Sequence, residues 1–578
     1  MDHHETKSKN PRTIDPFLRR HNETINNGIH KDVNGTNDNE IILRNLPLPC
    51  SLVPPSAKSL EQCALHEIKN LEDQIVNTYT ADNNTSIEML SQIEAMEDSL
   101  DDGFVLCDLA VIQNKLKAWH KLFPRIKPFF ALKCNPDPMV SAVLGYFKNE
   151  VGFDCASPME IRLALFSSAL HDPLYNSNHK KSNDISENEA SLRCIYANPQ
   201  RADSDLKKAL DMNVEALTFD GEEELWKVKA AHDRRVQLWR ENVAANIKAN
   251  DDMDPSIIDP NDKSKANAKA KAKSKPKPKP PEMIIRLLVP DEHSSIPLGE
   301  KFGANPDPKN IHSLVTLACQ LKLPIIGISF HCGSGCHDPQ AYATAIHLAY
   351  DTIKIVNPIL IQHHFNPCLL LDIGGGFPGV DGAGADYGRF SGIIHESKLS
   401  NDLNHDMTLE EESAADIAAV VTPLIDKLFP FDSNNPFYII SEPGRYFVEE
   451  AFAVCSRIYS TQIIDDVRHY YIAQGVQGVF KDVILCGEQF NPVALSMNHN
   501  IEKNDEHQNN HKLPKFSSVV HGPSGEYFDI VNPNCSLPDL KEGDWLIFDR
   551  MGAYTLSIAA RSGKLPIRYV VGGGGFTE

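Results

Sequence analysis

Between residues 128 and 441, short and nearly continuous apolar runs alternate with stretches of helical periodicity. The runs are Pro128–Lys133, Val151–Ala156, Arg193–Ala197, Ala216–Phe219, Met283–Val289, Ile325–His331, Cys368–Ile373 and Phe437–Ser441. An apolar run without alternation marks a strand buried on both faces, as in a parallel sheet covered by helices. Helical patterns fall between them, over Ser157–Leu165, Asn310–Leu321 and Pro339–Ile355. Asp338 before Pro339 is a good helix start, because an acid can cap the first turn and proline needs no N–H there. Eight parallel-type strands with intervening helices predict an α/β fold, a (β/α)8 barrel, over residues 110–450.

After about Val448 the pattern changes. The runs Ala451–Ser460, Asp482–Cys486 and Trp545–Phe548 read as strands with turn-rich connections, which predicts a C-terminal β domain over residues 451–578. Phe104–Asp108 is expected to join that domain from the N-terminal side, as part of a segment spanning 59–109. Residues 1–58 are rich in Asn, Asp, Lys and Pro without periodicity and read as a disordered tail. Polar stretches near 174–190, 246–281, 381–412 and 498–511 read as surface insertions between packed elements. The second contains KSKANAKAKAKSKPKPKP. Its charge admits RNA, acidic lipid or a nuclear address, and its position inside a fold favours a solvated loop extended by self-repulsion.

Composition narrows the class. At 578 residues and 41% hydrophobic, the chain is long enough for two domains with real cores. A formal charge of −21 argues against general nucleic-acid binding while leaving cationic substrates open. The 13 cysteines are scattered and show no extracellular disulfide framework. Cys332 and Cys336 lie between His331 and His337, so zinc is one reading of that loop, although no second cysteine pair is near and no metal is expected. MDHHETKSKN lacks the apolar core of a signal peptide, and no apolar run is long enough to span a membrane. The expectation is a cytoplasmic protein that binds neither membrane nor nucleic acid.

In such a barrel, functional groups collect where strands end. Lys133 ends PFFALK, Asp154 lies in GFDCAS with Glu160 soon after, and Arg286 sits in MIIRLLV. His331 and Ser334 follow IIGISF, Gly374, Gly375 and Gly376 follow LLLD, and Glu442, Gly444 and Arg445 follow FYIIS. Singly these are weak: a strand-end lysine is usually solvated, and Glu442 with Arg445 could be a plain ion pair. Together they suit pyridoxal 5′-phosphate (PLP). Its aldehyde needs an amine, which Lys133 offers. Its phosphate needs backbone donors and a fixed cation, which the three glycines and Arg445 offer. Its ring nitrogen needs a carboxylate to keep it protonated, which Glu442 offers. His331 can stack on the ring.

The segments PFFALKCNPDP, GFDCASPMEI, SFHCGSGC, LDIGGGFPG, SEPGRYFVEEAF and RMGAYT resemble the signatures of eukaryotic ornithine decarboxylases, intermittently from about Phe104 onward. That resemblance implies an alanine-racemase-like barrel plus β domain and a PLP-dependent carboxy-lyase acting on a small amino acid, with ornithine giving putrescine and CO2. It implies Lys133 as the residue joined to the cofactor, His331 on the ring face and Glu442 at the ring nitrogen. Ser334, Gly374, Gly375, Gly376, Gly444, Arg445 and Tyr554 would hold the phosphate, and Asp154, Glu160 and Arg286 would be supporting polar residues. Lys301 in KFGA would match an interface lysine of a homodimer with shared active sites.

The substrate end departs from the family pattern. Where the family has a G-P-T-C-D-G-type segment donated across the dimer, this chain reads His521 to Asp529, HGPSGEYFD, with Gly525 at the Cys position and Glu526 at the Asp position. Where a Tyr-Asp or Phe-Asp pair is usual, Leu485 and Cys486 stand, with Glu488 within a small shift, and Gln477 replaces a usual Tyr. A buried ammonium without its carboxylates costs several kcal/mol, roughly, so these changes put ornithine in doubt. Three outcomes follow: ornithine decarboxylation; decarboxylation of another amino acid, less cationic, aromatic or diaminopimelate-like; or a regulatory relative resembling antizyme inhibitors, with antizyme as partner. Antizyme inhibitors tend to lose cofactor residues, whereas this chain keeps them.

Overall fold

The computed structural model describes residues 101–170, 194–251, 277–290, 294–296, 301–379, 413–495, 514–559 and 565–571, apart from 148, 215, 337 and 433–435, together with 51–52 and parts of 63–74. The stretches near 174–190, 381–412 and 498–511 lie outside the described residues.

Eight parallel strands close into a barrel. In chain order they are Ile126–Ala131, Gly152–Cys155, Cys194–Tyr196, Ala216–Phe219, Glu282–Arg286, Ile325–Ser329, Leu370–Asp372 and Tyr438–Ser441. Each falls on an expected apolar run. Register aligns their C-terminal ends: Ala131 faces Asp154, Arg286 faces Ser329, Ser329 faces Asp372, and Asp372 faces Ile440. A compact layer of Phe129, Ile195, Ala216, Ile284, Ile326, Leu370 and Ile440 fills the barrel. Below the strand ends the barrel is therefore solid, and chemistry is confined to the top.

The helices start where the sequence caps them. Asp338 accepts from the Gln340 N–H ahead of Pro339–Gln362, as expected, and Asp137–Pro138 and Asp307–Pro308 repeat the device. Helix Glu222–Asp251 runs six residues into the polar stretch read as beginning near 246.

Phe104–Asp108 joins the second sheet. It lies between Phe452–Ile464, antiparallel, and Ile567–Val571, parallel. Trp545–Phe548 also pairs with Phe452–Ile464, as expected of a strand. The long strand turns at Asp465 and Asp466, both at positive φ, into Val467–Ile472. Lys515–His521 and Ile530–Pro538 extend that edge. Two expectations are corrected. Asp482–Cys486 is a helix, ended by Gly487 at φ 73°, rather than a strand. Four apolar residues after Asp482 have no period to separate the two, and the left-handed glycine decides it. Within the stretch read as a disordered tail, Ser51–Leu52 forms a short strand against Val570–Val571. Cys63, Ala64, Ile68 and Leu71 pack with Phe104, Leu106 and Trp545 on the same sheet. Among the described residues no helix is long and apolar enough to cross a membrane.

Candidate active site

Lys133 stands two residues past its strand, with Nζ 3.9 Å from Asp154 Oδ2. Burial lowers its ammonium pKa, but Asp154, Tyr554 and Glu442 outweigh burial and the Arg286 repulsion, and the net shift is upward. Asp154 is buried and neither oxygen makes a hydrogen bond among the described residues. Desolvation first, then repulsion from Glu442, raises its pKa well above the usual carboxylate range.

Glu442 is raised for the same kind of reason, burial first and Asp372 next. Asp372 is a residue that sequence reasoning missed. It ends the strand Leu370–Asp372, accepts from the Gly374 N–H at 2.9 Å, and its carboxyl lies close enough to Glu442 for each to shift the other. Its pKa rises to about 7, chiefly through burial. Two buried carboxyls in contact cannot both ionise cheaply, so the pair shares a proton.

His331 accepts at Nδ1 from the Gly333 N–H at 3.0 Å, which leaves Nε2 as its N–H in the neutral ring. Burial and the Lys133 and Arg286 cations push its pKa well below 6.5. A neutral, flat ring therefore faces the site. Arg286 is buried with its guanidinium 5.1 Å from the Phe302 ring centroid.

Three glycines cross this floor because nothing larger fits. A Cβ on Gly374 would overlap Phe330 O, one on Gly375 would come within 2.6 Å of Glu442 O and 3.0 Å of His331 Nε2, and one on Gly376 within 2.5 Å of Gly333 O. Their carbonyls point into the packing: Gly374 O accepts from Glu442 N–H and Ser441 Oγ, Gly375 O from Tyr342 Oη, and Gly376 O from Cys336 N–H. Ser334 begins the short strand Ser334–Cys336 that makes this last contact. Gly444 abuts Cys134, where a Cβ would approach to 2.8 Å. Arg445 follows it, with its Cζ 5.8 Å from the Tyr554 ring centroid. Arg445 Nε is buried and has no hydrogen-bond partner among the described residues. Its Nη1 meets Glu449 at 3.1 Å. Tyr554 sits at φ 58°, its N–H bonded to Cys134 O. Desolvation raises its pKa to about 12, so it is a phenol.

Of the sequence candidates, Lys133, Asp154, Arg286, His331, the three glycines, Glu442, Gly444, Arg445 and Tyr554 converge here. Glu160 is used otherwise: its carboxylate accepts from Ala156 N–H and Ser157 Oγ, while Ser157 caps helix Pro158–Ala169 by accepting from Glu160 N–H. Cys486 is exposed, with Sγ 3.3 Å from Asp482 O. Gly525 has open space around its Cβ position, and Glu526 is exposed beside it. Asp529 anchors their loop, accepting from Val476 and Ser524 N–H at 2.9 and 2.8 Å. No described contact joins Cys486, Gly525 or Glu526 to Lys133. Glu449 and Arg550 were also missed; Glu449, four residues after Arg445, carried the only local signal.

The donors fit PLP. A buried guanidinium N–H lacks a partner among the described residues, a neutral imidazole stands 3.0 Å from the Gly375 Cβ position, and two mutually shifted buried carboxyls stand near a lysine. Barrel and site together define a PLP-dependent carboxy-lyase. The family "Pyridoxal-dependent decarboxylase, pyridoxal binding domain" matches residues 109–273 and 268–449, and the chain belongs to it. Ornithine decarboxylase 2 of Drosophila melanogaster is 29% identical over 467 residues, covering 80% of this chain and 89% of the relative. Mouse ornithine decarboxylase is 28% identical over 487 residues, covering 82% and 80%. Antizyme inhibitor 2 of Xenopus laevis is 29% identical over 499 residues, covering 84% of each. The arginine decarboxylase of Paramecium bursaria Chlorella virus, solved bound to agmatine, shares the fold with TM-score 0.57 and 24% identity, over 81% of this chain and 97% of that one.

Proposed function

We propose that this chain decarboxylates L-ornithine to putrescine and CO2, with sites shared between two copies and in the cytoplasm. The carrying observation is the half-buried Lys133 beside the buried carboxyls of Asp154, Asp372 and Glu442 at one end of the barrel. Relatives named ornithine decarboxylases, aligned over four-fifths of the chain, support the substrate.

Bound there, PLP supplies an aldehyde that condenses with amines and a protonated ring that accepts the electron pair left at Cα when CO2 departs. Lys133 Nζ would be the amine that meets the aldehyde, with Asp154 Oδ2 3.9 Å away as a charge partner. The Asp372–Glu442 pair would serve the ring nitrogen. Neutral His331 would cover a ring face without adding charge. Gly375, Gly376, Ser334, Gly444, Arg445 and Tyr554 would hold the phosphate. Arg286 balances the carboxyl cluster, and Glu160 acts at one remove by fixing the turn after Asp154.

The substrate's far ammonium needs a carboxylate, and Glu526 is the acid in the expected segment. It lies beside Tyr527, which is 89% exposed, and near-surface Phe528. An exposed acid flanked by aromatic side chains suits a segment completed by a second copy. The second reading is another amino acid: neither Gly525 nor Cys486 offers a carboxylate, so only a reduced acid set meets the distal group. A third, antizyme binding with weak catalysis, draws on the antizyme inhibitor relative alone.

The test is CO2 release from ornithine, lysine, arginine, diaminopimelate and aromatic amino acids. Ornithine should lead, and Lys133→Ala should abolish turnover by about 1,000-fold or more. It should also prevent borohydride from fixing a pyridoxyl group to the chain. A different leading substrate overturns ornithine alone. A pyridoxyl group fixed to Lys133→Ala overturns the site.

A further inference from the structure

Glu449 touches all three elements that surround the phosphate side of the site. Its carboxylate accepts from Arg445 Nη1 at 3.1 Å and from the Gly379 N–H at 2.9 Å, three residues beyond the glycine run. Arg550 Nη2 reaches the same carboxylate at 3.5 Å, and Gly552 N–H donates to the Glu449 carbonyl at 3.2 Å. Arg550 and Gly552 belong to the turn that carries Tyr554, which is tied to the Lys133 loop through Tyr554 N–H to Cys134 O and Asn135 Nδ2 to Gly552 O. Glu450 adds a second hold on Gly379: it pairs with buried Lys115, whose Nζ donates to Gly379 O at 2.5 Å. Consecutive glutamates thus fix the N–H and, through Lys115, the carbonyl of one residue at the exit of the glycine loop. A Cβ on Gly379 would overlap Glu449 Oε2, so the close approach requires glycine.

We propose that Glu449 is a positioning residue for the cofactor phosphate, locking the glycine loop, Arg445 and the Tyr554 turn into one cradle; this rests on the PLP site proposed above. A carboxylate beside a phosphate-binding cation would ordinarily compete with the phosphate. Here it stands between two guanidiniums, so the cluster keeps a net positive charge, and Arg445 Nε remains uncommitted. Burial raises the Glu449 pKa, but Arg445 and Arg550 outweigh it and the net shift is downward, so the group stays ionised. Removing it would leave the Gly379 N–H and part of the Arg445 fork unmet in a buried site, and the lost geometry outweighs the relieved competition.

The experiment compares PLP with pyridoxal, which lacks the phosphate, by titrating the full chain freed of cofactor and following absorbance. Wild type should prefer PLP strongly. Glu449→Gln should weaken PLP about 10- to 100-fold and change pyridoxal less than about two-fold. Should that variant not fold, Glu449→Asp keeps the charge but shortens the reach, and its PLP-to-pyridoxal preference should fall at least about three-fold. A preference unchanged in the folded variant, or equal weakening of both ligands, overturns the proposal. Wild type with no preference for PLP would instead overturn the phosphate site beneath it.

Discussion

The barrel end around Lys133 and the loop carrying Gly525 and Glu526 are built in opposite ways. At the barrel end, Gly374, Gly375 and Gly376 lie against backbone or buried side chains, and Asp154, Asp372 and Glu442 are buried. In the loop, Asp529 holds the Val476 and Ser524 N–H groups, while Gly525 to Phe528 are exposed and Gly525 has open space around it. Over-determined geometry suits a cofactor whose shape never varies. An under-determined loop suits a segment whose final position depends on a partner copy and a substrate. The difference locates where this chain can vary without losing its chemistry: in the loop and not at the strand ends.

Two glycines with nearly the same backbone test that contrast most sharply. Gly374 has φ 67° and Gly525 φ 70°. Gly374→Ala should destabilise the fold by about 3 kcal/mol or more and abolish PLP binding, because strain and overlap with Phe330 O act together. Denaturant titration and PLP absorbance would read both. Comparable stability of Gly374→Ala and wild type would break the claim that the floor is over-determined.

The next effect concerns Asp372. Its pKa is about 7 when folded, against an ordinary carboxylate value of 3.8. Its contribution is fully present below pH 4 and is lost as pH rises through 7, since the folded state holds a proton that the unfolded chain releases. Cofactor-free wild type should therefore lose on the order of 4 kcal/mol between pH 4 and 8 that Asp372→Asn does not lose. Parallel stability curves for the two would show that Asp372 ionises freely.

The smallest effect is Gly525→Ala, expected to cost only about 1 kcal/mol, the strain of a left-handed residue without a clash. A loss matching Gly374→Ala would mean that the loop is packed in solution and would erase the distinction between the regions.

The same contrast explains what the sequence made legible. The barrel strands were readable because strands buried on both faces must be apolar throughout, and the cofactor residues because they fall at those strand ends. Asp372 escaped notice as the terminal acid of LLLD, where its contact with Glu442 depends on strand register. Glu449 escaped because its partners Gly379 and Arg550 are distant in sequence. Asp482–Cys486 was misread because four apolar residues after an acid carry no period. Ser51–Leu52 was hidden in a polar stretch because two residues suffice to extend an existing sheet edge.

Phe104–Asp108 has its two sheet neighbours far along the chain, in Phe452–Ile464 and Ile567–Val571. During synthesis the whole barrel therefore emerges before this strand can be paired on either side. Until then an apolar strand waits with both edges open, an invitation to aggregation or to chaperone capture. A ribosome stalled between the barrel and the last strand would hold a chain whose barrel strands had all emerged and whose sheet was still unfinished.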